Sequence, residues 1–307
     1  MRTFITRLAS SDRVRRSVAS SQPARELIER YVPAQTIEQV IAPLDDLRSK
    51  GLDISLEYQG IEPYDPHSAQ VNFNEYLRLI SYLKNADRAK KVEICIRPSF
   101  IGAEADIPLS ILIDRTLEIV DFAQHSGCET IIDMGPSHLL ETTLTIWTYL
   151  VKAYPRCAIT IQSIMKRSVD DCLHVADNGA RRVRVVKGVY REPRSIAWTK
   201  PHDIDLSYVS CARLLAERGV EVLYATHDPR LVAIAEAMIR SGRSHPNSEF
   251  QMMYGIRPLE QRRLCDIGFN SRVYIPFGPG WYSYYLRRMV ERPSNVALFA
   301  RSLIGKK

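Results

Sequence analysis

Eight times along this chain, a short apolar, β-branched run gives way to a longer stretch with 3.6-residue hydrophobic spacing. The runs are Leu52–Tyr58, Lys91–Arg97, Glu129–Gly135, Cys157–Ser163, Arg181–Gly188, Val220–His227, Ser248–Gly255 and Ser271–Gly278. Each run suits a strand buried on both faces, and each spaced stretch suits an amphipathic helix. Strands separated by helical crossovers run parallel. Eight such units in about 250 residues match a closed (β/α)8 barrel of the TIM type. The rival is an open doubly wound sheet, which carries a Gly-rich turn after its first strand. Here that turn reads "EYQGIEPYDP", which is not GxGxxG. Residues 1–50 precede the first strand and read as an N-terminal helical segment, leaving 51–307 as one barrel.

Composition excludes more than it specifies. The 307 residues carry 42 basic and 35 acidic side chains, a net charge of +7. That balance suits an anionic ligand, but no nucleic-acid or zinc motif accompanies it, so neither nucleic acid nor a metal is expected. No apolar run approaches the ~18 residues of a membrane span. The six cysteines are scattered without a CxxC, which reads as reduced thiols and a cytoplasmic protein. The Arg- and Ser-rich start invites a transit-peptide reading. Asp12, Glu26 and Glu29 interrupt it, and a mature helical segment is the expectation.

In a barrel of this kind, chemistry gathers at the C-terminal ends of the strands. Polar groups recur there: Arg97, Asp133, Gln162, Arg184, Lys187, Thr226, His227, Gln251 and Tyr274. Burying one such group unsatisfied costs about 1–3 kcal/mol, so a whole rim of them points to a polar ligand. Each has a plainer reading alone. Asp133 suits a helix cap, His227 a turn, and Arg287 and Arg288 a pair of exposed bridges to Glu291. Tyr284, Arg287 and Arg288 share neighbouring parts of one helix surface, just after the Gly-Pro turn of "YIPFGPGWYSYYLRR". Two adjacent guanidinium groups suit a small carboxylate or a phosphate. Trp281, Tyr282, Tyr284 and Tyr285 are candidates for an apolar wall around it.

On these residues the chain resembles the flavin-dependent proline dehydrogenase family. "RVVKGVYRE" is similar to that family's RLVKGAYWD, "WTKPHDIDLSY" to its TK-x-x-x-D-x-x-Y region, and "YATHD" to ATHN. "EFQMMYGI" is similar to EFQMLYGI. "YIPFGPGWYSYYLRRMVERPSN" is similar to YVPYG-x-x-W-x-P-Y-x-x-RR-x-x-E-R-P-x-N. Any one match is weak, but together, in order and at the right strand ends, they are specific. The resemblance implies FAD bound over the strand ends and a hydride passed from a C–N carbon to flavin N5. Arg184 then lies near N5, Gln162 contacts the flavin ring, and Lys187, Gly188 and Val189 line it. Thr199 and Lys200 follow the adenosine or phosphate part, with Thr226, His227 and Gln251 beside the cofactor. Arg287 and Arg288 clamp the substrate carboxylate, Tyr274 and Tyr284 wall the substrate, and Glu291 orients the arginines. Arg288 and Glu291 also border the cofactor. The expected partners are a small amino acid and an electron acceptor such as a quinone, reached by peripheral contact with a membrane.

The sequence departs from that family's pattern at several places, one of them "SYY" where the family has a Pro-Tyr pair. Cys95 stands where a strand 2 lysine pairs with the Asp133 position, Gly135 replaces an acid, and Val189 replaces an alanine. An unpaired buried carboxylate costs several kcal/mol. Either Arg97, two residues on and on the same strand face, brings the cation back to Asp133, or Asp133 meets a positive group on a different substrate. Three functions follow as expectations: oxidation of L-proline, the same chemistry on a related cyclic or amine-bearing acid, or a flavin-binding homologue without turnover.

Overall fold

The computed structural model of the protein describes residues 31–60 and 65–282. Eight parallel strands close into one barrel in sequence order, with β1 bonded to both β2 and β8. The strands are β1 (Asp53–Tyr58), β2 (Val92–Ile96), β3 (Glu129–Ile132), β4 (Ala158–Gln162), β5 (Arg182–Val186), β6 (Glu221–Ala225), β7 (Glu249–Met253) and β8 (Asn270–Phe277). Every expected strand is present, each within a few residues of its expected limits. Helix α1 (Ile41–Ser49) precedes the barrel. The crossover helices are α2 (Pro66–Asn85), α3 (Leu109–His125), α4 (Leu140–Ala153), α5 (Ser168–Asp177), α6 (Pro201–Glu217), α7 (Pro229–Arg240) and α8 (Pro258–Asp266).

Local chemistry starts several of these helices. Asp65 accepts a hydrogen bond from Ser68 N at 2.8 Å ahead of Pro66, completing a capping box on α2. Asp228 accepts from Arg230 N at 3.0 Å ahead of Pro229. Residues before β1 belong to the same core: Val40, Leu44 and Leu47 are buried against it, and Ala34 bridges Phe277.

Strand side chains alternate between two faces. The outward set (Ile54, Leu56, Val92, Ile94, Val183, Val185, Val273 and Ile275 among others) packs with the helices into one large apolar core. Inside the barrel the apolar cluster is small: Cys95, Ile131, Ala158 and Leu223, with Tyr274 against it. Much of the rest of the interior is polar or charged. Arg272 bonds Glu249 and Glu129, both at 2.7 Å, and Arg182 bonds Glu93 at 3.0 Å. Above them Arg184 reaches Glu93, Gln251, Ser55 and Asp133. A charge buried alone would be expelled, and this lattice survives because nearly every charge has an opposite neighbour. It holds the strand ends in fixed register beneath the rim.

Candidate active site

A cavity of about 380 Å³ opens at the C-terminal ends of the strands. Its wall includes Asp133, Gln162, Arg184, Gln251 and Tyr274 from five different strands or their ends. Lys187, Gly188, Val189, Thr226 and His227 continue the wall toward the mouth. With Arg97 at the end of β2, eleven sequence-predicted residues, drawn from β2 to β8, therefore meet at one rim. Thr199 and Lys200 do not: both are exposed at the start of α6, outside the cavity wall. Tyr284, Tyr285, Arg287, Arg288 and Glu291 lie outside the described residues. Trp281 and Tyr282 are buried against each other, ring centroids 5.6 Å apart, and do not line the cavity. The wall expected of these two is not seen, while Tyr274, expected as a wall, and Tyr190 do line the cavity.

Asp133 has partners that the sequence did not announce. Its Oδ1 accepts from Thr160 Oγ1 at 2.6 Å and from Arg184 Nη1 at 3.4 Å, and its Oδ2 accepts from Tyr274 at 3.1 Å. The replacement cation is therefore Arg184, reaching across from β5. Arg97 goes elsewhere and pairs with Glu57 at 2.7 Å. The expectation that Arg97 returns the cation to Asp133 is corrected. Glu57 is a nearer anion on the neighbouring strand, where it is the register partner of Cys95, two residues before Arg97.

Burial and the surrounding charges set the protonation states. Burial would raise the Glu93 carboxyl, but Arg184, Arg272 and Arg182 override it and hold the group near 2. Burial pushes the Tyr274 phenol well up, and Glu57 and Asp133 push it further, so it stays a donor toward Asp133. The Cys95 thiol is driven up chiefly by burial, despite Arg184. It sits 3.1 Å from Ser55 Oγ as a neutral, unreactive group.

At the mouth Lys187 is held between Asp205 at 2.5 Å and Asp228 at 3.0 Å. A hydrogen bond from Arg230, joined by Lys187, holds Asp228 well below the usual carboxylate range. His227 Nε2 accepts from Met253 N at 2.9 Å, which puts the proton of a neutral ring on Nδ1. Gly188 has φ +98°, and a Cβ there would stand 2.5 Å from Ile164 Cγ2 and 3.2 Å from Gln162 Oε1. Only glycine fits, and it leaves bare backbone beside the cavity. Gln162 turns its amide to Gly135 O at 2.8 Å.

Glu57, Thr160 and Tyr190 also line the cavity, and the sequence reading gave them no role. The signal was there for two of them. Glu57 follows Ser55 on the inward phase of β1, and Thr160 precedes Gln162 on that of β4.

The sequence model described as Proline dehydrogenase matches residues 40–301. The chain belongs to the proline dehydrogenase family. It is 28% identical over 278 residues to Proline dehydrogenase 1 of Bacillus subtilis, covering 90% of each chain. It is 28% identical over 282 residues to the proline dehydrogenase of Deinococcus radiodurans, covering 91% of this chain and 90% of that one. Among solved structures it matches proline utilization A of Bdellovibrio bacteriovorus, inactivated by N-propargylglycine. There the TM-score is 0.81 at 20% identity, over 87% of this chain and 33% of that one. The chain thus spans about a third of that solved protein, and the likeness is one of fold. Proline dehydrogenases are flavin-dependent. A planar ring fits the features at this rim: the glycine-bared backbone at 188, the Gln162 side chain and the apolar surfaces of Met134, Val189 and Met252. No helix among the described residues is long and apolar enough to cross a membrane.

Proposed function

We propose that the protein is an FAD-dependent dehydrogenase that oxidises the C–N bond of L-proline or a closely related cyclic amino acid to an imine. The observation that carries this reading is the Asp133–Arg184–Tyr274 cluster, complete at the rim although its strand 2 lysine is gone.

FAD, when bound, supplies the acceptor for a hydride leaving the carbon next to nitrogen. The amine lone pair would move into the new C=N bond as that hydride departs, so the amine must arrive neutral, and the remaining N–H proton would then pass to solvent to leave the imine. Gln162, Lys187, Gly188, Val189, Thr226, His227 and Gln251 are the residues that would hold the flavin. Thr199 and Lys200 would follow its adenosine or phosphate end. Arg287 and Arg288, kept oriented by Glu291, would anchor the substrate carboxylate, with Tyr274 and Tyr284 as walls. Such an anchor fixes which C–H bond faces the acceptor, and positioning of this kind is the main contribution a protein makes to hydride transfer. Arg184, tied to Glu93, Ser55 and Gln251, presents a fixed positive charge at the base of the cavity and needs no reorganisation as charge develops.

Anaerobic stopped-flow mixing with L-proline tests the reading. Bleaching of the flavin absorbance is the expected result, and no bleaching by any cyclic amino acid overturns it. A second reading, the same chemistry on a related substrate, is favoured by Cys95, whose neutral thiol removes a cation from the cavity. Electrons would pass onward to a carrier such as a quinone, with the protein peripheral to the membrane that holds it.

A further inference from the structure

Arg257 holds a backbone conformation that its side chain makes costly. It stands between β7 and Pro258 of α8 with φ 52° and ψ 51°, in the left-handed region. A Cβ disfavours that region, and a following proline favours extended backbone instead. Among the described residues only three other non-glycine side chains have positive φ: Asp87, Lys91 and Asp106. Aspartate tolerates the conformation, and Lys91 lies just ahead of β2, at the end of the barrel away from the cavity. Glycine takes it freely, as Gly255 does two residues before Arg257 with φ 73°. Strain kept beside a functional rim points to a task for the side chain that is kept with it.

The Arg257 side chain reaches back across the strand ends. Its Nη1 donates to His227 O at 3.0 Å, and its Nη2 lies 3.6 Å from Glu260. The His227 ring accepts from Met253 N at 2.9 Å through Nε2. Buried Gln261 closes the other side of the turn, donating to Met253 O at 3.0 Å and to Ile256 O at 2.8 Å. His227 is thus gripped twice by the β7–α8 turn, at its ring by Met253 and at its carbonyl by Arg257. The carbonyl grip fixes the backbone from which the ring extends, so the two contacts together hold one ring orientation. His227 lines the cavity and Arg257 does not. Any effect of Arg257 on a bound ligand passes through a neighbour, and the neighbour it grips at the wall is His227.

We propose that Arg257 is a positioning residue for the cofactor: it holds the His227 ring against the end of β7, in the orientation that retains FAD. This rests on the assignment of His227 to the flavin in the reading above. The test follows release of FAD from the loaded protein after dilution, by the recovery of free-flavin fluorescence. Arg257→Gly removes the guanidinium and relieves the backbone, and it should speed release about tenfold, the scale of one lost hydrogen bond. Arg257→Asn also accepts the left-handed backbone but is too short to reach His227, and it should do the same. His227→Ala should speed release by about tenfold or more. Adding Arg257→Gly to His227→Ala should then change the rate by less than about twofold, because the two residues act through one contact. Nitrogen NMR of histidine-labelled protein should show an unprotonated Nε2 on His227 in the parent and an altered ring in Arg257→Gly. Effects that multiply in the double variant, release unchanged in both Arg257→Gly and Arg257→Asn, or a His227 ring unaltered by Arg257→Gly each overturn the inference. FAD that is held and released as expected, yet bleached by no cyclic amino acid, overturns the dehydrogenase reading and leaves this one standing. Protein that takes up no FAD overturns both.

Discussion

Replacing Glu93 by Gln is the sharpest probe of the charged interior. The side chain keeps its shape and loses its charge. Glu93 is fully buried, bonded to Ser55 at 2.6 Å, to Arg182 at 3.0 Å and to Arg184. Breaking a buried pair by neutralising one member typically costs 3–5 kcal/mol. The gap between the ordinary carboxyl value of 4.5 and about 2 in the fold corresponds to about 3 kcal/mol. Other anions cushion the loss: Glu129 is 3.4 Å from Arg182, and Asp133 is 3.4 Å from Arg184. The expected destabilisation at neutral pH is therefore about 2–4 kcal/mol. Because folding depresses the Glu93 carboxyl, its contribution is fully present above pH 4.5 and fades as pH falls from 4.5 toward 2. Urea unfolding followed by circular dichroism at pH 7 and across that acid window measures both effects. The variant should be weaker at pH 7 and show a shallower acid loss than the parent. A cost below about 1 kcal/mol, or an unchanged acid slope, would refute the claim that this carboxylate anchors Arg182 and Arg184.

Three more outcomes are expected. Gly188→Ala puts a methyl group 2.5 Å from Ile164 Cγ2 at a positive φ, so it should cost about 1–3 kcal/mol in thermal unfolding and lower the flavin content of the purified protein. Native protein titrated with an aromatic disulfide reagent at pH 8 should react first at partly exposed Cys265, releasing the aromatic thiolate, and Cys95 should react only after unfolding; prompt labelling of Cys95 by mass mapping would contradict its burial. Arg288→Lys should raise the substrate KM by a factor equivalent to about 1–3 kcal/mol, because lysine lacks the planar fork that grips a carboxylate, and an unchanged KM would remove Arg288 from the anchor.

Most of the architecture could be read in the sequence because its signals are local. "KVEICIR" and "CAITIQS" announce strands by composition, and the intervening helices announce themselves by spacing. The rim was legible for a related reason: in a barrel, the last residues of every strand share one end whatever the helices do. Partnerships within the rim were not legible. Cys95 pointed to a missing cation, and the nearest candidate in sequence was Arg97. The structure supplies the cation from Arg184 instead, 51 positions from Asp133 along the chain. Glu57 escaped notice because an acid on the inward phase of "DISLEY" gains its meaning only when the barrel closes around it.

Taken by itself, the sequence determined the eightfold alternation, the parallel closed sheet and which side chains reach the strand ends, since each follows from periodicity and strand phase. Only the tertiary structure decided how the charges pair. Arg184 and Arg97 have similar freedom along their strands, and closing the barrel places Asp133 before one and Glu57 before the other. In a buried interior the nearest opposite charge wins, and nearness there is set by register across strands rather than by distance along the chain.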